Sequence, residues 1–146
     1  MGTAARIREL RIGLGKSEAE MAQLLGINIH WYGDLEQHDD ELISTLSLSQ
    51  AMRVALLLGV ALHDLIAEGN RPSQVIALAQ LPECIISHAT REGISVEQFE
   101  DRVGWKLRQF LDSPVQAAAQ LPLIFFQDLA AGLGVDWLSI VPNETV

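Results

Sequence analysis

The chain has 146 residues, 49% of them hydrophobic, and a formal net charge of -9 at pH 7. That length holds one ordinary domain or two small ones around a packed core, which excludes a disordered tail. Both halves are net acidic, so neither supplies the lysine and arginine surplus from which nonspecific DNA affinity arises.

Cys84 is the only cysteine, which excludes an intrachain disulfide and a cysteine-based zinc site and points to a reducing compartment. The N-terminus has no secretory apolar core and lacks the serine or threonine of a myristoylation signal, and the longest apolar runs (Val54 to Val60, Leu121 to Phe126) are too short for a membrane span. The expectation is a soluble, cytoplasmic protein with no membrane partner.

Helical spacing dominates, and no segment alternates with a two-residue period, so the fold class expected is all-α. The first helix, from about Thr3 to Leu14, places Ile7, Leu10 and Leu14 on one stripe and leaves Arg6, Arg8, Glu9 and Arg11 around it, with Gly13 and Gly15 at its end. Ser17 and Glu20 have capping-box spacing and open a second helix that Gly26 stops. Asn28 caps a third helix reaching Glu36, followed by a polar, acidic loop to about Thr45. Ser47 with Gln50 caps a strongly apolar helix through Leu58, ended by Gly59, and Val60 to Ala67 makes a short fifth helix. Gly69, Asn70, Arg71 and Pro72 form the clearest boundary.

The second half repeats the first. At an offset of 78 residues Gly15, Ser17 and Gly26 fall on Gly93, Ser95 and Gly104, and Met21, Leu25, Ile27 and Tyr32 fall on Phe99, Val103, Trp105 and Phe110. The cap recurs as Ser95 with Gln98. Near the end the offset becomes 75, with Leu58-Gly59-Val60 matching Leu133-Gly134-Val135, as a three-residue deletion in the acidic loop would produce. The expected division is 1–69, a linker helix at 70–80, and 81–146.

The run Ser17, Met21, Ala22, Leu25, Gly26, Ile27, Tyr32, Leu35, Glu36 and the closing Leu-Gly-Val-Ala-Leu-His-Asp-Leu-Ile give residues 6–66 their character. This half resembles the lambda-repressor-like Cro/cI (XRE) helix-turn-helix family. The resemblance implies a five-helix domain followed by a degenerate second copy at about 81–142, packed against it. It also implies an ion pair between Arg11 and Glu36, with Glu36 structural and not a catalytic acid.

The family's mechanism is transcriptional control by a DNA-bound dimer or larger assembly, and its contacts map onto Ser17, Glu18, Asn28, Ile29, His30, Trp31 and Asp34. No lysine or arginine lies between Ser17 and Glu36, and Asp34, Glu36, Asp39, Asp40 and Glu41 make the stretch acidic. Direct readout without phosphate clamps supplies little affinity. Ile29 and Trp31 form an exposed apolar edge suited to a protein interface, unless Trp31 folds back into the core. His30, His38 and His63 are read as surface histidines.

The second copy departs further. Glu100 stands at the position of Ala22, Pro114 at that of Glu36 and Ala89 at that of Arg11, which removes both ends of the ion pair. Its recognition positions hold Lys106, Leu107, Arg108 and Gln109, with Arg102 one turn earlier, suited to phosphate or guanine unless Glu97, Glu100 and Asp101 neutralise them.

No phosphate loop, ligand-spaced histidine pair or partnered nucleophile supports an enzyme or a cofactor, and Cys84 reads as a small buried hydrophobe. Two readings stand. One is a DNA-binding transcriptional regulator using Ser17, Asn28, Ile29 and His30, with Lys106, Arg108 and Gln109 as further candidates. The other is an acidic interaction module of antitoxin-like, immunity or anti-repressor type, docking through Ile29 and Trp31 on a basic protein partner.

Overall fold

The computed structural model describes residues 2–66, 72 and 74–142. They carry eleven α-helices and no strand, so the all-α class holds. The chain divides into two compact units, one reaching Arg71 and the other spanning Pro72–Pro142.

In the first unit α1 (Thr3–Gly13) buries Ile7 and packs on α5 (Leu48–Leu58) and α6 (Leu62–Ile66). Its expected apolar stripe ends early: Ile7 is buried and Leu10 half-buried, but Leu14, just past the helix end, is 50% exposed. Helix α2 (Glu18–Leu25) starts at Ser17, whose hydroxyl accepts from the Glu20 amide at 3.1 Å while the Glu20 carboxylate accepts from the Ser17 amide. It stops at Gly26, where φ is +69°, a left-handed turn in which a side chain would be strained. After that short turn Asn28 caps α3 (Ile29–Leu35). Met21, Ala22, Tyr32, Leu35, Val54 and Leu65 are among the buried side chains of this core.

Three features of the first unit differ from the sequence expectation. The acidic segment contains a helix, α4 (Glu41–Thr45), so the described residues of this unit form six helices and not five. The driving force is apolar: Leu42 and Leu46, four positions apart, are both buried. His63 is also buried, only 2% exposed, so it is not a surface histidine. The fifth expected helix is trimmed to Leu62–Ile66, while Ala67 and the 69–71 part of the boundary lie outside the described residues.

The expected pair between Arg11 and Glu36 is present as a two-pronged contact. Arg11 Nε donates to Glu36 Oε2 at 2.6 Å and Nη2 to Oε1 at 2.9 Å, while Nη1 donates to the Lys16 carbonyl at 2.9 Å. One guanidinium thus ties the end of α1 to the start of α2 and to the residue closing α3. Glu36 raises the Arg11 pKa further above its already high value. The Tyr32 hydroxyl is buried beside this carboxylate, and burial first, with Glu36 second, pushes the phenol well above its usual range. Two more side-chain bonds close the unit: Arg6 Nη1 donates to the Asp64 carbonyl at 2.7 Å, and Asp39 Oδ1 accepts the Ala4 amide at 3.0 Å, capping α1 from the acidic segment.

The second unit repeats this order: α7 (Leu81–Glu92), α8 (Val96–Val103), α9 (Arg108–Asp112), α10 (Pro114–Gln120) and α11 (Leu123–Leu133), then a 3-10 turn at Trp137–Ser139. Helices α2 and α8 both have 8 residues and coincide at the offset of 78, and α5 and α11 both have 11 and coincide at 75. The offset changes where only Ser113 separates α9 from α10, whereas five residues separate α3 from α4, which locates the three-residue deletion. Ser95 and Gln98 form the repeated capping box, and Gly104 has φ +79° where Gly26 has +69°. Of the expected linker helix at 70–80, residues 70, 71 and 73 lie outside the described residues; among those described, 74–77 are non-helical and Leu78–Gln80 make a 3-10 turn.

Side chains in the second core are redistributed. Phe125 takes the place of the capping residue Gln50 and joins edge-to-face contacts with Trp105, Phe110 and Phe126 at 5.2–5.4 Å. Phe99, larger than Met21, is accommodated because α11 presents Gly132: a Cβ there would collide with Val103 Cγ1 and lie 3.2 Å from Phe99 Cζ.

Three measurements check this account. Glu36→Leu leaves a mostly buried guanidinium without its anion and is expected to lower unfolding stability by about 3 kcal/mol, with Arg11→Met added to it recovering most of the loss in urea denaturation. Tyr32 is the only tyrosine. Its phenolate absorbance is therefore expected to appear only as the chain unfolds in alkali; the folded state holds the proton, so stability falls as pH rises above about 10. Gly132→Ala is expected to lower the melting temperature despite alanine's higher helix propensity, and Val103→Ala in the same chain to reverse the effect.

Candidate functional site

The face of the first unit that corresponds to a reader is built from α3 and the start of α2. Asn28 and His30 are exposed, and Ile29 is 46% exposed. Yet the polar groups expected to reach a nucleic acid are largely engaged at home. The Ser17 hydroxyl and the Asn28 side-chain oxygen each accept from their own helix, the latter from the Trp31 amide at 2.9 Å. Arg6 and Arg11 are tied to Asp64 and Glu36, which leaves Arg8, exposed, and Lys16, half-buried, as the cations of the α1–α2 region outside those bonds.

Trp31 is neither a free anchor nor a core residue. It is half-buried, and its indole Nε1 donates to Thr45 Oγ1 at 3.0 Å, while that hydroxyl donates to the Glu41 carbonyl at 2.9 Å. The ring therefore lies from α3 toward α4. The apolar edge reduces to Ile29; Asp34 in the same helix is partly exposed, and Asp40 in the segment that follows is exposed.

In the second unit Arg102, Lys106, Arg108 and Gln109 are all exposed, whereas Leu107 is fully buried and belongs to the core, not to the reader positions. Where Ala22 stands in the first unit, the Glu100 carboxylate accepts the Leu107 amide at 2.6 Å and so fixes the entry to α9. A charged side chain is tolerated at this position because its charge is spent on a backbone donor that the helix start would otherwise leave unsatisfied. Asp101 and Glu97 remain exposed beside the cations. The sequence signal for Glu100 was present: a carboxylate seven residues before Leu107, across a turn already marked by Gly104.

Beside α9, Lys106, Gln109, Asp112, Gln116 and Gln120 line an open groove of about 510 Å³ floored by Phe110. A second cleft, of about 600 Å³, is lined by Glu83, Cys84, Ser87, His88 and Arg91 of α7 with Leu133 and Val135. Cys84 is half-buried, not fully enclosed. His88 Nε2 lies 3.9 Å from Glu92 Oε1, and its ring meets Phe99 edge-on at 5.5 Å, so the imidazole is oriented from two sides. Among the described residues no three His, Cys, Asp or Glu side chains gather as metal ligands, and no helix is long and apolar enough to cross a membrane. No protein-family model, curated protein or solved structure matches this chain.

Proposed function

We propose that the first unit is an interaction module that docks on a basic protein partner through the exposed start of α3, and that it does not read DNA. The observation that carries this is the disposition of its cations: Arg11 is clamped by Glu36 and the Lys16 carbonyl, Arg6 donates to Asp64, and α3 itself has no lysine or arginine. DNA affinity scales with the number of phosphates neutralised, and α3 offers exposed Ile29 and His30 and a partly exposed Asp34 instead. An acidic segment (Asp34, Asp39, Asp40, Glu41) that also carries an exposed aliphatic side chain suits a cationic protein surface, where opposite fields speed encounter and the apolar contact holds the register.

A second reading keeps the transcriptional regulator, with the nucleic acid held by the other unit. Exposed Arg102, Lys106, Arg108 and Gln109 at the corresponding positions favour it. Three phosphate contacts of this kind would give a logarithmic salt slope of about -3 on duplex DNA.

Titration of the whole chain against a random DNA pool, at low salt and at about 0.2 M, separates the readings. The expectation is that whatever binding occurs at low salt is lost in Lys106→Ala/Arg108→Ala and unchanged in Asn28→Ala/His30→Ala. Loss through the latter pair, with the cation variant still binding, would remove the interaction reading of α3. On the protein side, a partner held by α3 should dissociate with added salt and be lost with Ile29→Asp.

A further inference from the structure

The groove beside α9 has a structural explanation in the duplication. At the two offsets, Gln109 and Gln120 correspond to Trp31 and Thr45. In the first unit that pair is bonded, indole to hydroxyl at 3.0 Å, and the large ring spans α3 and α4. In the second unit the same two positions carry carboxamides, and the space between α9 and α10 is an open groove of about 510 Å³. A bridging pair has been exchanged for two hydrogen-bonding rims.

The chemistry of the walls is specific. Gln116 and Gln120 are four positions apart, on one face of α10, and Gln109 stands on α9. Each carboxamide presents both donors and an acceptor, which is what a peptide group requires of a partner. Lys106, in the non-helical residues before α9, and Asp112, the last residue of α9, also line the groove and bring opposite charges to it. A short peptide with a free ammonium and a free carboxylate complements such a pair of charges. The volume lies within the range of about 300–1,000 Å³ common to small-ligand sites.

We propose that this groove binds a short peptide of two or three residues with both termini free. The carboxylate is held by Lys106, the ammonium by Asp112, and the intervening peptide groups by Gln109, Gln116 and Gln120 over the Phe110 floor. The site belongs to the second unit and does not rest on the reading of α3.

Titrating the whole chain with trialanine by two-dimensional NMR tests it. Amide shifts confined to residues 106–121 are expected, with N-acetylated and C-amidated trialanine each weakened about tenfold by loss of one charge-assisted contact. Gln109→Trp/Gln120→Thr transplants the first unit's pair and is expected to abolish the shifts while leaving the helical circular dichroism unchanged. Should that variant fail to fold, Lys106→Met is expected to equalise the free and amidated peptides, and Asp112→Asn the free and acetylated ones. The proposal is overturned if trialanine produces no shifts up to about 10 mM, if the blocked peptides bind as well as the free one, or if the transplanted pair binds undiminished.

Discussion

A carboxylate placed where two helices meet governs the chemistry that each unit can show to solvent. In the first unit it is Glu36, which arrives at the end of α3 and collects the Arg11 guanidinium; that guanidinium in turn reaches the Lys16 carbonyl. An anion so enclosed cannot be left without its cation, because desolvation without compensation costs several kcal/mol. Arg11 is therefore committed, and with it the best-placed positive charge on α1. In the second unit the carboxylate is Glu100, one helix earlier, and it takes a backbone amide instead of an arginine. Satisfying an orphan amide consumes no cation, so Lys106 and Arg108 stay on the surface.

The same exchange runs through the two cores. Ala22 becomes Glu100, Met21 becomes Phe99, Leu57 becomes Gly132 and Gln50 becomes Phe125. Each substitution alone would either overpack or hollow the interior, since protein cores are filled to crystal-like density. Together they conserve the helix order and the capping glycines while moving bulk from α11 to α8 and replacing a capping amide with an aromatic cluster. Local backbone signals, namely the Ser-x-x-Glu/Gln boxes and glycines at positive φ, hold the fold constant while the side-chain packing is renegotiated.

This division explains what could be read from the chain. Ser17, Gly26, Asn28, Ser47, Gly59, Ser95, Gly104 and Gly134 act within a few residues of themselves, and the helices they delimit were legible to within a residue or two. The pair between Arg11 and Glu36 was legible only through the family resemblance, since 25 residues separate its members. Helix α4 was missed because its acidic side chains outnumber the two leucines that fold it, although Leu42 and Leu46 are the residues that bury. His63 was misread because nothing local distinguishes a buried histidine from an exposed one. The role of Trp31 depends on Thr45, 14 residues away, a contact that composition and spacing do not report, whereas Glu100 bonds to Leu107 across a turn that Gly104 already marks.

Duplication supplies the physical reason why the corresponding faces could diverge in opposite senses. A single helical unit of about 70 residues has little stability to spare, so a face cannot shed its packing without a replacement elsewhere. The first unit keeps the ion pair and the indole bridge, and its α3 face carries few hydrogen bonds to offer. The second lacks both, and its aromatic contacts and Glu100 cap stand in their place, leaving the α9–α10 edge free of structural duty. Glutamines and a lysine can occupy that edge without cost to the core because none of them is buried. In the second unit the polar residues along the α9–α10 edge are thus separate from those that pack its core, whereas in the first Arg11, Glu36 and Trp31 are bound into the contacts that hold the unit together.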